Sequence, residues 1–591
     1  MILQSLVQYY EALEQKGEIT KPGWCRSKVS FALELSHDGD LLRIIPLKVE
    51  KEKGKKTVLE PQPLKVPQMV TRSSGVAANF LCDNSSYFLG IDNKGKPERA
   101  KECFQCAKKK HLEVLNKTDS VSGQAVERYF EKWNPDTASE NPVVAEVLEE
   151  VVAGANLVFW VDGYVHDDDE VKSAWEKYFR DSSDGPEGIC LVTGQKTGIS
   201  RIHGTIKGVL GAQSSGALLV SFNAPAFESY GKEQSFNAPV GNYAVYAYTT
   251  ALNHLLADKK HTTTIGDMTV IYWSEDGEEA YQNVFSNLSE PNSDNYEIIS
   301  GVFKNLGAGK AVNIPEVEES ISMDQRFYIL GLAPNAARIS VRFFYQDSFG
   351  NILENLKTHY DRMEIVRPSW DGIQYLGIWR MLMETVNKKS RDKKPVSNMA
   401  GSVYRSIISG DRYPNSLYQT VMGRIRAEQD DSGSGIYKIT RGRAAIIKAF
   451  LLRNGTCDKE EITMGVNEEC NNVIYTLGRE FAVLEAIQEE ANPGINATIK
   501  DRYFNSACAT PASVFPILFK LKNSYIKKMR DKGKEIYYEK ILGDLQSRIP
   551  VSDEKIPAYP KRLSLEDQGM FILGYYHQTQ KRYEKKTKEE D

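Results

Sequence analysis

Cysteine, histidine and any overall imbalance of charge are scarce in this chain of 591 residues. The eight cysteines are Cys25, Cys82, Cys103, Cys106, Cys190, Cys457, Cys470 and Cys508. They are too sparse for a disulfide framework and fit a reducing compartment. A formal net charge of −4 gives no global signature of nucleic-acid binding. No run of about 18 apolar residues occurs, so no membrane-spanning helix is expected. The first residues, MILQSLVQYYEALEQKG, are amphipathic and carry glutamates. They lack the basic start and long apolar core of a signal peptide, and a cytoplasmic location is expected.

Catalytic signatures are missing as well. There is no G-x-S-x-G, so the common serine-hydrolase elbow is absent. Leu191 to Gly198, LVTGQKTG, has Lys-Thr after an apolar run but lacks the first glycine of a phosphate loop. Gly211 and Gly216 have the glycine spacing, but Ala217 stands where that motif needs lysine. Cys103 and Cys106 form a lone C-x-x-C with His111 nearby. The segment ERAKECFQCAKKKHLEVL reads as a helix, in which both cysteines can serve as small apolar residues. The run from His166 to Glu170, HDDDE, precedes an amphipathic segment and suits a helix N-terminus electrostatically. No HExxH motif is present. No catalytic residue, metal or cofactor is expected. A cryptic hydrolase pairing His203 with Ser214 is kept as an alternative.

With 26% charged and 41% hydrophobic residues, the composition is that of an ordinary globular protein. The length allows roughly three to five domains or subdomains. Residues 28–48 alternate around the turn His37 to Asp40 and predict a hairpin. The lysine- and proline-rich stretch 49–67 reads as a flexible basic loop. Residues 80–90 read as two short strands around an Asp-Asn-Ser turn, and helical pattern dominates from about 97 to 180. Residues 190–345 are rich in strand signals, including LLVSF at 218–222. Beyond about 366 the pattern is helical.

Three helical stripes near the end are well formed. They are Val473, Leu477, Phe481, Leu484, Ile487 and Ala491; then Val514, Leu518, Leu521, Tyr525 and Met529; then Tyr538, Ile541, Leu545 and Ile549. A fourth helix opens on the capping box Ser564 to Asp567. The expected fold class is α+β: a β-rich N-terminal domain with inserted helices, then an all-α region ending in a helical bundle. The segments are 1–365, 366–463 and 464–591. Residues 500–591 hold 19 Lys and Arg against 13 Asp and Glu, a local excess able to attract a polyanion.

Three segments have the composition of a binding surface. GAQSSGALLVSFNAPAFESYGKEQ, residues 211–234, combines glycines with short polar side chains and is followed by Asn237. Residues 67–80 contain Arg72, Ser73, Ser74 and Asn79. Residues 334–344 place Arg338, Ser340 and Arg342 at strand period two. Such side chains can hydrogen-bond phosphates and base edges. A polar sheet edge with turns would look similar.

Four stretches carry a family resemblance: RSSGVAANFLCDNSSYFLG, the run from ICLVTGQKTG to SFNAPVG, FYILGLAPNAARISVRFF and FILGYYHQTQ. In order from residue 72 to 580, they resemble the large subunit of the type I-C CRISPR surveillance complex (Cascade), the Csd-type family. The resemblance implies a non-enzymatic subunit that recognises the PAM in duplex DNA, helps open it, holds the displaced strand and presents it to a separate helicase–nuclease. The implied partners are crRNA, double-stranded target DNA with its displaced strand, the Cascade backbone subunits, the subunit at the crRNA 5′ end, and small-subunit copies. Those copies come from the C-terminal part through an internal start, for which Met464 is the candidate.

On chemistry plus membership in these stretches, the PAM side is assigned to Arg72, Ser73, Ser74, Asn79, Lys207, Gln213, Ser214 and Ser215. Nucleic-acid backbone contacts are assigned to Asn223, Lys232, Gln234, Asn237, Arg338 and Arg342. Displaced-strand contacts are assigned to Lys520, Lys522, Lys527, Lys528 and Arg530. A stand-alone nucleic-acid-binding protein is the other alternative.

Overall fold

The computed structural model describes residues 1–53, 56–70, 72, 75–92, 95–116, 118–181, 185–307, 321–549 and 558–583. The chain folds into two compact units, Met1–Gly208 with Gln213–Ala257, and Val209–Ala212 with Asp258–Asp591. The architecture is α+β, with strands as far as Ser348 and helices from Phe349 onward.

The first unit is built on a four-stranded sheet. Its order is Leu41–Pro46, Phe31–Leu35, Asn156–Trp160, Cys82–Asn84. The middle pair is parallel, with Phe31 opposite Leu157, and the outer pairs are antiparallel. The predicted hairpin 28–48 is present, with Gly39 at its turn in the left-handed region (φ 84°). Helices Pro97–Leu115 and Val121–Lys132 contribute Phe104, Val126 and Phe130 to the core that also holds Phe88 and Phe159. Helix Asn242–Ala257 packs on the N-terminal helix Ile2–Gln15 through Tyr10 against Tyr243 and Tyr246.

Three local expectations need correction. The basic stretch 49–67 is a pair of strands, Lys48–Lys53 and Lys56–Pro67, and the second continues onto Trp24–Val29. Each half of the long strand has one partner, so a proline facing the open side forfeits no ladder bond. Residues 80–90 hold one strand and a short helix, Ser85–Phe88, because Asn84 accepts from the Ser86 N–H and caps it. LLVSF forms no strand. Ala217 bridges to Ile206 at its start, and the chain continues in bends and turns.

The second unit opens with an antiparallel meander of Thr262–Ile265, Met268–Ser274, Arg326–Asn335 and Arg338–Ser348. Met268–Ser274 is buried along its whole length. The terminal bundle contains the four expected helices, Val473–Ala491, Pro511–Lys528, Lys532–Ser547 and Leu565–Tyr583. It also contains Ile499–Ala509, which opens on a capping box of Thr498 and Asp501. The Ser564 box is formed, with Asp567 N–H donating to Ser564 Oγ at 3.1 Å.

Helix Val473–Ala491 is buried on every face from Tyr475 to Gln488, charged residues included. It meets Leu565–Tyr583 backbone to backbone. A Cβ on Gly478 would overlap the Phe571 carbonyl, and one on Gly574 the Tyr475 carbonyl. Among the described residues, no helix is long and apolar enough to cross a membrane.

Candidate nucleic-acid interface

Glycine placement shapes the polar surface of the first unit. Gly204 lies against Thr249, where a Cβ would come within 2.8 Å of the threonine methyl. Gly208 (φ 94°) lies against Leu256. Both neighbours belong to helix Asn242–Ala257. Asn253 of the same helix accepts the Lys207 N–H at 2.8 Å and donates to the Thr205 carbonyl at 3.0 Å. The glycines therefore let the loop approach the protein's own helix. That close fit gives the loop from Gln213 to Gly216 a rigid support.

Residues 213–216 form a turn closed by Gly216 N–H donating to the Gln213 carbonyl at 2.9 Å. Gly216 needs φ 101°, and a side chain there would meet Thr205 Cβ at 2.8 Å. Gln213, Ser214 and Ser215 are all exposed. Lys207 is exposed too, and its stem runs beside Gly216. One amide, two hydroxyls and one ammonium thus occupy a fixed turn. Amides and hydroxyls donate and accept, so they suit base edges, whereas the ammonium suits a phosphate.

The segment 72–84 behaves differently. Ser73 and Ser74 lie outside the described residues. Arg72 forms a two-pronged ion pair with Asp83, its Nη1 3.0 Å from Oδ1, and stacks over Tyr87 with 4.0 Å to the ring centroid. Asp83 is buried and also accepts the N–H groups of Asn79 and Asn84. Burial raises its carboxyl above the usual range while Arg72 pulls it back. Asn79 is buried, and its Oδ1 accepts from the Val70 N–H at 2.9 Å. In this structure the buried Asn79 and the partly exposed Arg72 both spend hydrogen bonds on fastening the loop.

Gln234 and Asn237 are also occupied. Asn237 accepts the Ser229 N–H at 2.8 Å and donates to the carbonyls of Lys232 (2.7 Å) and Gln234 (2.9 Å). Gln234 accepts from Arg201 Nε at 2.7 Å. Asn223 and Lys232 are exposed. The residue between them that sequence reasoning passed over is Tyr230, which is fully exposed. Its signal was the Tyr-Gly dipeptide between polar residues, a turn pattern.

Arg338 and Arg342 belong to the second unit. The strand register shifts opposite Gly331 and Leu332, leaving Arg342 as the unpaired residue of a β-bulge. Period two therefore does not extend from Arg338 to Arg342. Arg342 lies 3.6 Å from Asp267. On the last helices, Lys522 pairs with Glu539 at 2.7 Å. Lys520, Lys527, Lys528 and Arg530 are exposed, with no ion pair among the described residues.

Of the residues weighed for catalysis or metal binding, His203, His111 and Asp168 are engaged within the fold. His203 is buried with Nδ1 2.7 Å from the Tyr248 hydroxyl, and burial lowers its pKa to about 4. Ser214 sits on the exposed turn. His111 accepts the Leu81 N–H on Nε2 and donates from Nδ1 to the Ala107 carbonyl, so both ring nitrogens are used beside Cys103 and Cys106. Asp168 caps helix Asp169–Asp181 through the N–H groups of Glu170 and Val171, as its acidic run suggested. Asp258, His261 and Glu279 bring one ligand atom each within 4.8 Å of one another. The Lys260 N–H already donates to Asp258, and its ammonium lies 3.9 Å from Glu279.

Fold and surface together define a large two-unit α+β protein whose candidate site is a set of rigidly mounted polar and basic turns. A family model described as CRISPR-associated protein (Cas_Csd1) matches residues 6–583. The chain belongs to that family. No curated protein matches it.

Proposed function

We propose that this chain is the large subunit of a type I-C Cascade, a cytoplasmic crRNA-guided complex, and that it acts without catalytic chemistry of its own. It reads the PAM in duplex DNA and helps to open the duplex. It then holds the displaced strand and presents it to a helicase–nuclease. The observation that carries this reading is the exposed Gln213–Ser215 turn beside Lys207, mounted on helix Asn242–Ala257. A local reader needs few contacts because guide pairing reads the rest of the target. Each good base contact contributes about 1–3 kcal/mol of discrimination. The exposed Lys520, Lys527, Lys528 and Arg530 suit a strand backbone.

The test is duplex binding by the complex reconstituted with and without this chain, on targets differing only in the flanking PAM positions. PAM-dependent binding that vanishes with the chain is the expected result. Equal binding to both flanks, or binding that survives its omission, would overturn the reading. A monomer that binds nucleic acid with no defined higher mass would favour a stand-alone binder.

A smaller product starting at Met464 also belongs to this proposal. In the full chain, the helices beyond Met464 are covered by earlier residues. Tyr418 donates to the Leu565 carbonyl, Arg426 to Gln568, and Tyr576 to the Val366 carbonyl. A separate product must find other cover for that face. Changing the Met464 codon should remove a short band from purified complex, and an unchanged band would end the idea.

A further inference from the structure

The turn Ser229 to Lys232 holds a residue that the turn itself does not want. Lys232 N–H donates to the Ser229 carbonyl at 3.0 Å. Both central residues have positive φ, Tyr230 at 54° and Gly231 at 69°. That pattern favours Asn, Asp or Gly at the first position, and an aromatic residue there is strained. Gln234 is also left-handed, at φ 47°. Two of the five such non-glycine residues among the described ones therefore fall within this one loop. The strain is held by a surrounding frame. Asn237 ties Ser229, Lys232 and Gln234, while Glu228 accepts the Gln234 N–H and Arg201 donates to its side chain. The frame fixes a fully exposed Tyr230 at its tip.

We propose that Tyr230 is a stacking residue for an unpaired or terminal nucleobase, with Lys232 taking the adjacent phosphate. The inference rests on the reading of the chain as a subunit that opens duplex DNA, and it names an element that would hold the opened end. A base offers a flat π face to an aromatic ring whatever its sequence, and a nearby cation suits the backbone. Around Tyr230, the chain neighbours Ser229, Gly231, Lys232 and Glu233 are exposed and none is an apolar side chain, with Phe227 the nearest exposed large apolar residue along the chain. A protein-binding hot spot would instead set its aromatic in a close-packed apolar centre.

Tyr230→Asn suits the turn better and tests the idea without risking the fold. The variant should raise the melting midpoint by about 1–2 °C. In the reconstituted complex, duplex opening is followed by 2-aminopurine fluorescence on a guide-matched duplex whose flank was selected from a randomised library. Opening should slow about tenfold for Tyr230→Asn, and Tyr230→Phe should keep the wild-type rate. Photocrosslinking to 5-iododeoxyuridine in a single-stranded oligonucleotide should map to Tyr230 in wild type. Wild-type opening by Tyr230→Asn would overturn the inference while leaving the reading of the chain intact. A crosslink at Tyr230 with no opening by wild type would do the reverse. No crosslink at residues 228–232, or loss of the Tyr230→Asn chain from the complex, would assign the residue to a protein contact and overturn the inference.

Discussion

The interior of the second unit's helical body and the loop surface of the first carry positive charge in opposite ways. In the helical body, Arg443 has no exposed surface. It lies 2.7 Å from Glu428 and 3.5 Å from Glu384, and it donates to the Lys438 carbonyl. Arg479 is held by Gln578 and Glu468. Lys438 donates to the Ile425 carbonyl and to Asn505. On the loop surface, Lys207 and Lys232 are exposed, and their supports bind their backbones while leaving the ammonium groups outside. A cation whose hydrogen bonds are spent inside the fold stabilises that fold. One whose backbone alone is anchored is available to a polyanion. Arg72 belongs with the first group, although its sequence neighbourhood suggests the second.

Mutations should separate the two kinds of site, beginning with the body. Arg443→Met takes the guanidinium from the half-buried Glu384 and leaves the buried Glu428 with only Arg424, 3.9 Å away. It should cost about 3–5 kcal/mol in denaturant unfolding.

Glu480, within the buried stretch Tyr475–Gln488 of helix Val473–Ala491, gives a pH signature. Burial pushes its pKa up to about 8, so the folded chain keeps a proton that the unfolded chain releases near 4.5. Its contribution to stability is whole below about pH 4.5 and is lost as pH rises toward 8. The wild type should lose on the order of 3 kcal/mol over that window relative to Glu480→Gln. Parallel curves for the two proteins would contradict this.

Gly574→Ala forces apart the two helix backbones that meet there. It should cost about 1–3 kcal/mol, read as a lower denaturation midpoint. Ser214→Ala and Gln213→Ala should change stability by less than about 0.5 kcal/mol. Their effect should fall on DNA binding, where each lost base contact weakens the preferred flank by about 1–3 kcal/mol. A Gln213→Ala protein that unfolds like Arg443→Met would erase the distinction between the two regions.

Legibility in the sequence followed the range of the interactions. The hairpin 28–48, the capping box at Ser564 and the helical stripes are local patterns, and they appear where periodicity placed them. Within 48–67 only the second half of the long strand has a distant partner, with Trp24 opposite Pro67; Lys48–Lys53 pairs locally, and its signal is masked by the lysines and prolines that read as a loop. Arg72 looked free because Asp83 enters its site from a different element. Gln234 and Asn237 looked like ligand contacts because a side chain that frames a turn has the same composition as one that grips a phosphate. Gln213 to Ser215 lie on an exposed turn, as their composition suggests, because a local Gly216 bond shapes it. The bulge at Arg342 shows how one extra residue defeats a period-two argument.

The most direct test is a PAM-library binding experiment with complexes carrying wild-type chain or the triple variant Gln213→Ala, Ser214→Ala, Ser215→Ala. A folded variant whose sequence preference is flattened or shifted is the predicted result. Wild-type preference and affinity in the variant would contradict the assignment of this turn as the reader.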